Sequence, residues 1–592
     1  MTSRLRLALL AVLALTVLAA LATRMVDMQW RHGSEYAAAA RRSSVVIEPV
    51  PAPRGRLLDR RGRLLVSNEP CFQLTVFPAE MRDRKLTARR LAEALEVKPE
   101  HLSARLQKAL QQAPLEKLVL RRSLTPGQIS RLLLVTPELP GTAVEVGARR
   151  RYLAGRLAAH VLGTMGEIDA HELPTRRKLG YAAGDPMGRS GLERQYDFLL
   201  RGKKGQRHLA VDVLGRTVRV LEVVDPVPGA DLHLTLDRKI QETAQRALAQ
   251  TLAELRVLNQ EDSSGAVVVM EASTGRIRAL VSLPDFDPAL FARGIKPRDL
   301  DALYSDPRHP LLSRAYQSSF SPGSTFKLIT GSAALQEKLC TSGSVFVCGG
   351  SYMGASCFVT SGHGGIGFVD SLAHSCDVVY YRLGDQLGID RLSRYCAAFS
   401  LGKPTGLDVP AETGGLLPTA AWKERELGEE WYPGDTVNMS IGQGFLLVSP
   451  LQMAVATAAV ANGGQVPRPY LVERAVGPNG RILHRGRPKL RKLPVSKHHL
   501  AAVRQGMRGA VEYGTGVAAD APQVAVAGKT GTVESFANVN NPHGRNHVWF
   551  VSYAPADKPE LVVVVFLEKS GGYGGSLAAP IARKVYDFVY PP

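Results

Sequence analysis

The stretch Pro322-Gly323-Ser324-Thr325-Phe326-Lys327, running into Leu328-Ile329-Thr330-Gly331-Ser332-Ala333-Ala334-Leu335, decides how the chain is read. The apolar second half predicts a helix, with Pro and Gly just ahead of it as the start signal. If Ser324 opens that helix, Lys327 lies three residues on and shares its face, with Cβ atoms about 5–6 Å apart. An amine that close to a hydroxyl accepts its proton, provided burial holds the amine neutral. Serine is also a preferred helix cap, so S-x-x-K alone does not separate a nucleophile from a cap.

The surroundings narrow the choice. A chain of 592 residues exceeds one ordinary core and predicts several domains. Lys plus Arg at 74 against Asp plus Glu at 54 gives a net charge of +20, compatible with nucleic acid, an anionic membrane or an acidic polymer. Zinc-finger spacing, RNA-binding aromatics and a basic zipper are all missing, which argues against nucleic acid. Six cysteines in this length do not make a disulfide scaffold. Arg4 and Arg6 precede an apolar run from Leu7 to Ala22, followed by Arg24. Flanking residues through Met28 extend the run toward the ~20 residues that cross a bilayer. The expectation is one N-terminal crossing with the body exported, and the alternative is a signal peptide cleaved after Ala20-Leu21-Ala22.

Residues 30–44 predict a helical exit, broken by Pro49, Pro51 and Pro53. Arg54-Gly55-Arg56-Leu57-Leu58-Asp59-Arg60-Arg61-Gly62-Arg63-Leu64-Leu65 predicts strand–turn–strand, its arginines reading as a solvated face. Residues 86–135 are helix-rich. Beyond Pro226–Gly229, Leu232–Leu236 alternates like a strand and Asp237 can cap a helix reaching about Leu255. Ala266–Met270 and Ile277–Val281 flank Ser273-Thr274-Gly275 as a hairpin. Further strands are expected near Val524–Lys529, His547–Tyr553 and Leu561–Leu567, with a closing helix over Ala578–Val589. Two strands, a large helical insert, more strands and a helix predict an α+β fold built on an antiparallel sheet.

Two further polar clusters give Ser324 partners. Ser375-Cys376-Asp377 precedes apolar Val378–Tyr381, and Lys529-Thr530-Gly531-Thr532 ends the apolar run Val524–Gly528. Gly531 removes a side chain so that a substrate backbone can lie along a strand edge. The backbone N–H groups of Thr532 and Ser324 are candidates for an oxyanion hole, and Lys529 and Thr530 for holding a carboxylate. S-x-x-K, S-x-[ND] and K-T-G in this order form the motif set of penicillin-binding proteins and class A β-lactamases. On these motifs the chain resembles the class B penicillin-binding proteins. Pro53-Arg54-Gly55-Arg56, Asp59-Arg60-Arg61-Gly62, Gly191-Leu192-Glu193 and Gly205 resemble that family's N-terminal motifs, so the likeness covers nearly the whole chain. The S-x-D triplet, Gly191-Leu192-Glu193-Arg194, Ile441-Gly442-Gln443-Gly444 and His547-Val548-Trp549-Phe550 look most like the elongation subtype, with the division subtype as runner-up.

The resemblance implies a transmembrane anchor over 1–28, a non-catalytic pedestal over 29–229 and a transpeptidase domain over 230–592, with the body in the periplasm. It implies that Ser324 attacks the penultimate carbonyl of a stem peptide ending in D-Ala-D-Ala, that Lys327 takes its proton and that Ser375 relays one to the leaving D-Ala. An amine of a neighbouring stem peptide then resolves the acyl-enzyme, β-lactams acylate Ser324, and no catalytic cofactor is needed. At Asp377, where the commoner residue is asparagine, an ionised carboxylate accepts but does not donate, so it can hold Lys327 or a substrate amide while the donor part of asparagine's role does not carry over. A β-lactam hydrolase or sensor shares the triad and differs in turning the acyl-enzyme over. Implied partners are lipid-linked nascent glycan, a membrane glycan polymerase of the shape, elongation, division and sporulation family, and a periplasmic shape scaffold.

Cys348, Cys357, His363 and Cys376 fall within 29 residues, spaced C-x8-C-x5-H-x12-C. If Ser375 and Asp377 face the active site, Cys376 points away and is free to join the other three. Three readings stay open: a structural Cys3His zinc site, a disulfide such as Cys348–Cys357, and unpaired thiols. Cys71 and Cys396 read as buried small apolar residues.

Overall fold

In a computed structural model, described over residues 3–36, 45–77, 80–81, 83–112, 117–169, 171–211, 217–259, 262–534, 541 and 543–591, the chain opens with helix α1 (Ser3–Val26). Its 24 residues rise about 36 Å, enough for a hydrocarbon core of about 30 Å. Its apolar side chains from Leu9 to Val26 are exposed, and the apolar helical span continues to Arg31. Of the helical exit expected over 30–44, residues 37–44 lie outside the described residues.

The chain divides into two compact units, residues 1–53 with 201–229 and residues 54–200 with 230–592. Strand β1 (Val45–Val50) belongs to the first. In the second, β2 (Leu57–Leu58) and β3 (Leu64–Val76) form the expected strand–turn–strand. Gly62 turns at φ +78, and Asp59 Oδ1 accepts from the N–H groups of Arg61 (2.8 Å) and Arg63 (2.9 Å). Helices α2 (Arg84–Leu95) and α3 (Pro99–Gln112), strand β4 (Leu118–Arg121) and helix α4 (Pro126–Val135) enclose a small core around Leu91, Leu106 and Leu132. Strand β5 (Thr142–Tyr152) pairs with β3 along its length, and helix α5 (Gly191–Gln195) follows. Strands β6 (Gly205–Val211) and β7 (Thr217–Val224) complete a three-stranded sheet with β1 in the first unit.

Strand β8 (Asp231–Leu234) runs parallel to β2, Leu232 beside Leu57. The Arg54–Arg63 stretch is the solvated face expected at Arg56, Arg60, Arg61 and Arg63, which are exposed, and departs from it at Arg54. Arg56 meets Asp231 (2.6 Å), Arg60 and Arg61 meet Asp237 (each 3.3 Å), and Arg54 turns inward to Glu193 (2.6 Å) and Asp197 (2.8 Å). Asp237 also caps helix α6 (Arg238–Asn259), accepting from the Lys239 N–H at 3.0 Å.

Strands β9 (Ser264–Glu271) and β10 (Ile277–Leu283) form the predicted hairpin. The insert after them holds helix α7 (Lys327–Gln336), four short strands β11 (Val345–Cys348), β12 (Ser351–Tyr352), β13 (Ala355–Ser356) and β14 (Gly364–Gly367), and helices α8 (Phe368–Ala373) and α9 (Asp377–Ala398). Next come α10 (Pro433–Ser440), the fully buried α11 (Pro450–Ala461), strands β15 (Val472–Val476) and β16 (Ile482–Arg485), and α12 (Lys497–Glu512). Strands β17 (Ala527–Val533), β18 (His547–Ala554) and β19 (Leu561–Glu568) return to the sheet, and α13 (Ala579–Val589) closes the chain. The antiparallel order is β10-β9-β19-β18-β17, which leaves β17 at an edge. Alternate residues feed two cores: Val267, Val565 and Phe550 face α6 and α13, while Val268, Phe566 and Trp549 face the insert.

Candidate active site

Lys529-Thr530-Gly531 lies inside β17 rather than at the end of a strand, which corrects the sequence reading. A side chain at Gly531 would come within 2.9 Å of the Pro322 carbonyl, so the glycine seats the strand against the Ser324 turn instead of ending it. Ser324 itself sits in a 3-10 turn (Gly323–Phe326) ahead of α7, and Lys327 is the first residue of the helix. Gly323, at φ +54, donates its N–H to the Gly442 carbonyl (2.9 Å) and passes close to the Thr532 carbonyl. Thr330 Oγ1 donates to the Ser440 carbonyl (2.7 Å), tying α7 to the end of α10. The Ser324 turn is thus wedged between an edge strand and a glycine-bearing loop.

Lys327 is fully buried and its Nζ is the hub of the site. It donates to the Ser375 carbonyl (2.7 Å), to Ser375 Oγ (3.2 Å) and to Asp377 Oδ1 (2.7 Å), and it lies over the Tyr380 ring at 5.5 Å. Among the described residues no hydrogen bond reaches the Ser324 side chain. Ser375 adopts φ +58, a left-handed conformation that costs a non-glycine residue about 1–2 kcal/mol. This kink ends α8 and aims both the carbonyl and the hydroxyl of Ser375 at Lys327. From the opposite side Lys529 Nζ donates to Ser375 Oγ (2.7 Å) and to the Thr530 carbonyl (2.9 Å). Complete burial, with Lys327 beside it, holds the Lys529 amine well below the usual lysine range although Asp377 pulls the other way. Ser375, Asp377 and Thr530 are each less than 10% exposed, whereas Ser324 and Thr532 are half-buried at the surface of the site.

Two contacts escaped the sequence reading. Thr515, in the loop after α12, bonds the Thr530 hydroxyl at 2.6 Å, and the Phe358 N–H donates to Asp377 Oδ2 at 3.1 Å. Nothing in the motif spacing marks either one, since Phe358 acts through its backbone and Thr515 stands alone in its segment.

Behind Ser375 the chain brings Cys348, Cys357, His363 and Cys376 together, their ligand atoms all within 4.8 Å of one another. Cys348 Sγ and Cys357 Sγ each lie 3.6 Å from His363 Nδ1, and all six cysteines are free thiols. A tetrahedral zinc with Zn–S about 2.3 Å and Zn–N about 2.0 Å would set sulfur and nitrogen about 3.5 Å apart, so the donor set fits. Cys396 is buried as expected, whereas Cys71, on β3 opposite Gly147 of β5, is only half-buried.

Residues 265–587 match the family model of the penicillin binding protein transpeptidase domain, and residues 49–234 that of the penicillin-binding protein dimerisation domain. A peptidoglycan D,D-transpeptidase MrdA of Acinetobacter baumannii is 32% identical over 97% of this chain and 86% of its own length. A structure of the Helicobacter pylori penicillin-binding protein PBP2 in complex with MreC superposes with a TM-score of 0.77 at 25% identity, over 92% of this chain and 100% of that one. A chain from a study of polymerization and crosslinking by a peptidoglycan synthase complex superposes with a TM-score of 0.72 at 32% identity, over 99% of this chain and 98% of that one.

Proposed function

The chain belongs to the penicillin-binding proteins, and from that membership and the site's geometry we propose that it is a peptidoglycan D,D-transpeptidase of the elongation type working through a serine acyl-enzyme. The observation that carries the assignment of roles is the single hydrogen-bonded network of Lys327, Ser375, Asp377 and Lys529 beside the edge strand that carries Thr530 and Gly531.

A stem peptide ending in D-Ala-D-Ala lies along the free edge of β17 as an added strand. Ser324 Oγ attacks the penultimate carbonyl carbon and its proton passes to the lone pair of Lys327 Nζ, which as a neutral amine gives up one of its three hydrogen bonds to receive it. The resulting oxyanion faces the N–H groups of Ser324 and Thr532. Collapse breaks the bond to the terminal D-Ala, whose nitrogen takes a proton from Ser375 Oγ, which Lys327 replenishes. Thr530, Thr532 and Lys529 receive the terminal carboxylate, with Thr515 orienting the Thr530 hydroxyl. The amine of a neighbouring stem peptide then attacks the ester, gives its proton back through the same groups and frees Ser324. A β-lactam follows the first half of this path and stays attached.

In this reading residues 1–28 are the membrane anchor, 29–229 the pedestal and 230–592 the transpeptidase domain, facing the periplasm, in line with the family-model matches over 49–234 and 265–587. A glycan polymerase and a shape scaffold are the partners this reading assigns, in line with the relatives solved with MreC and within a synthase complex. Cys348, Cys357, His363 and Cys376 would hold a zinc ion, which when bound supplies a structural cross-link and no step of the reaction. The test is D-Ala release and cross-link formation by the full chain in detergent on a defined stem peptide. Wild type is expected to do both; a Ser324→Ala protein that does them equally well refutes this assignment of roles.

A further inference from the structure

Asp377 stands where the commoner motif has asparagine, and its surroundings supply a reason. Its two oxygens face two donors: Oδ1 accepts from Lys327 Nζ at 2.7 Å and Oδ2 from the Phe358 backbone N–H at 3.1 Å. An asparagine has one amide oxygen and could accept from only one of them, while its NH2 group would be turned on the other donor. A carboxylate at position 377 and a donor from residue 358 therefore belong together.

The segment carrying Phe358 is held to α9 at successive turns. Asp377, Tyr381 and Asp385 are spaced by four residues and share one face of the helix. Asp377 takes the Phe358 N–H, Tyr381 Oη donates to the Ser356 carbonyl (3.2 Å), and Asp385 Oδ2 accepts from Tyr352 Oη (2.8 Å). The hairpin β12–β13 is thus clamped along three turns of the helix whose first residue is Asp377. The Cys3His cluster closes the same hairpin at its base, because Cys348 precedes it, Cys357 follows it and Cys376 adjoins α9. Cys357 and Phe358 are consecutive, as are Cys376 and Asp377, so the cluster grips the chain on both sides of the Phe358–Asp377 hydrogen bond.

We propose that this hairpin is a positioning device for the acylation step: the Phe358 N–H fixes the Asp377 carboxylate, which in turn fixes Lys327 Nζ beside Ser375. The idea rests on the transpeptidase reading. Phe358 is a positioning residue and touches no reacting atom.

The experiment is a double-mutant cycle on the full chain in detergent. Phe358→Pro removes the N–H and leaves the four cluster residues in place; Asp377→Asn removes its charged acceptor. Acylation by a labelled penicillin is resolved into an initial binding constant and a first-order acylation rate, and bound metal is measured on each protein. Losing one hydrogen bond to a charged group predicts about a tenfold fall in the acylation rate of Phe358→Pro with the binding constant unchanged. In the Asp377→Asn background the same change should cost less than about threefold, since the single amide oxygen turned on Lys327 leaves the Phe358 N–H without an acceptor. An acylation rate of Phe358→Pro within twofold of wild type, or losses that simply multiply, overturns the proposal. Should Phe358→Pro fail to fold, hydrogen exchange of the 356–359 amides decides instead. Protection at Phe358 in wild type that falls in Asp377→Asn supports the bond, and equal exchange in both overturns it. If wild type itself takes no penicillin label, the transpeptidase reading fails, and hydrogen exchange still reports on the bond separately.

Discussion

Replacing Glu193 with glutamine tests how the arginine-rich N-terminal motif is held. Glu193 is fully buried, and each of its oxygens accepts from a different guanidinium: Arg54 Nε at 2.6 Å and Arg150 Nε at 2.6 Å. Arg54 also donates to the Glu193 carbonyl (2.9 Å) and pairs with Asp197 (2.8 Å), while Arg150 reaches Asn68 Oδ1 at 3.0 Å. Burial alone would push the Glu193 carboxyl up, but Arg150 and Arg54 together outweigh it and hold it below the usual range. Glutamine keeps the shape and one acceptor, and turns an NH2 group on the other arginine. Breaking one side of such a buried network costs about 3–5 kcal/mol. The assay is urea unfolding of the full chain in detergent at pH 7, wild type against Glu193→Gln. Because the native carboxyl titrates below its unfolded value, the stabilisation is present above the unfolded pKa and is lost as pH falls through the folded one. The gap between the two proteins should therefore close in acid. A loss under about 1 kcal/mol at neutral pH, the level of an exposed pair, would refute the view that the motif is a buried lock.

Three further outcomes follow from named contacts. His160, buried with Nε2 2.8 Å from the Pro310 carbonyl, is pushed down to about 4 by burial. Between pH 6.5 and 4 the unfolded chain takes a proton that the folded one refuses, so stability should fall by about 3 kcal/mol across that window, and His160→Gln should flatten the slope in thermal melts. Protein purified without chelator should carry one equivalent of zinc, and stripping it should lower the melting temperature and slow penicillin acylation together; a metal-free, fully active protein would contradict the cluster's assignment. Gly442 holds φ +77, and a side chain there would sit 2.3 Å from the Gly323 carbonyl, so Gly442→Ala should cost about 2–4 kcal/mol and slow acylation at least tenfold, read by the same melts and label.

How much of this was legible in the sequence differs by element. The sheet strands near His547 and Leu561 and the helix after Asp237 announced themselves because each carries one period and one start signal, and these appear as β18, β19 and α6. The K-T-G strand was placed too early, since glycine in a strand reads as an ending until the close Pro322 backbone is known. Arg54 read as surface with its exposed neighbours because its acidic partner Glu193 lies more than a hundred residues away. Ser324, Lys327, Ser375 and Lys529 were legible as residue types at recognisable spacing, and Cys376 as the odd-facing neighbour of two site residues. Phe358 and Thr515 were not, because a backbone donor and a lone threonine leave no pattern. The left-handed backbone at Ser375 was equally silent, since glycine or asparagine is the residue that usually marks such a turn.

The central claim is that Ser324 is acylated with Lys327 and Ser375 as its proton relay. Its most direct test is to treat the full chain with a penicillin, digest it and locate the adduct by mass. The expected result is one penicilloyl group on Ser324, lost in Ser324→Ala and formed far more slowly in Lys327→Met. An adduct on another residue, or undiminished labelling of Ser324→Ala, would contradict it.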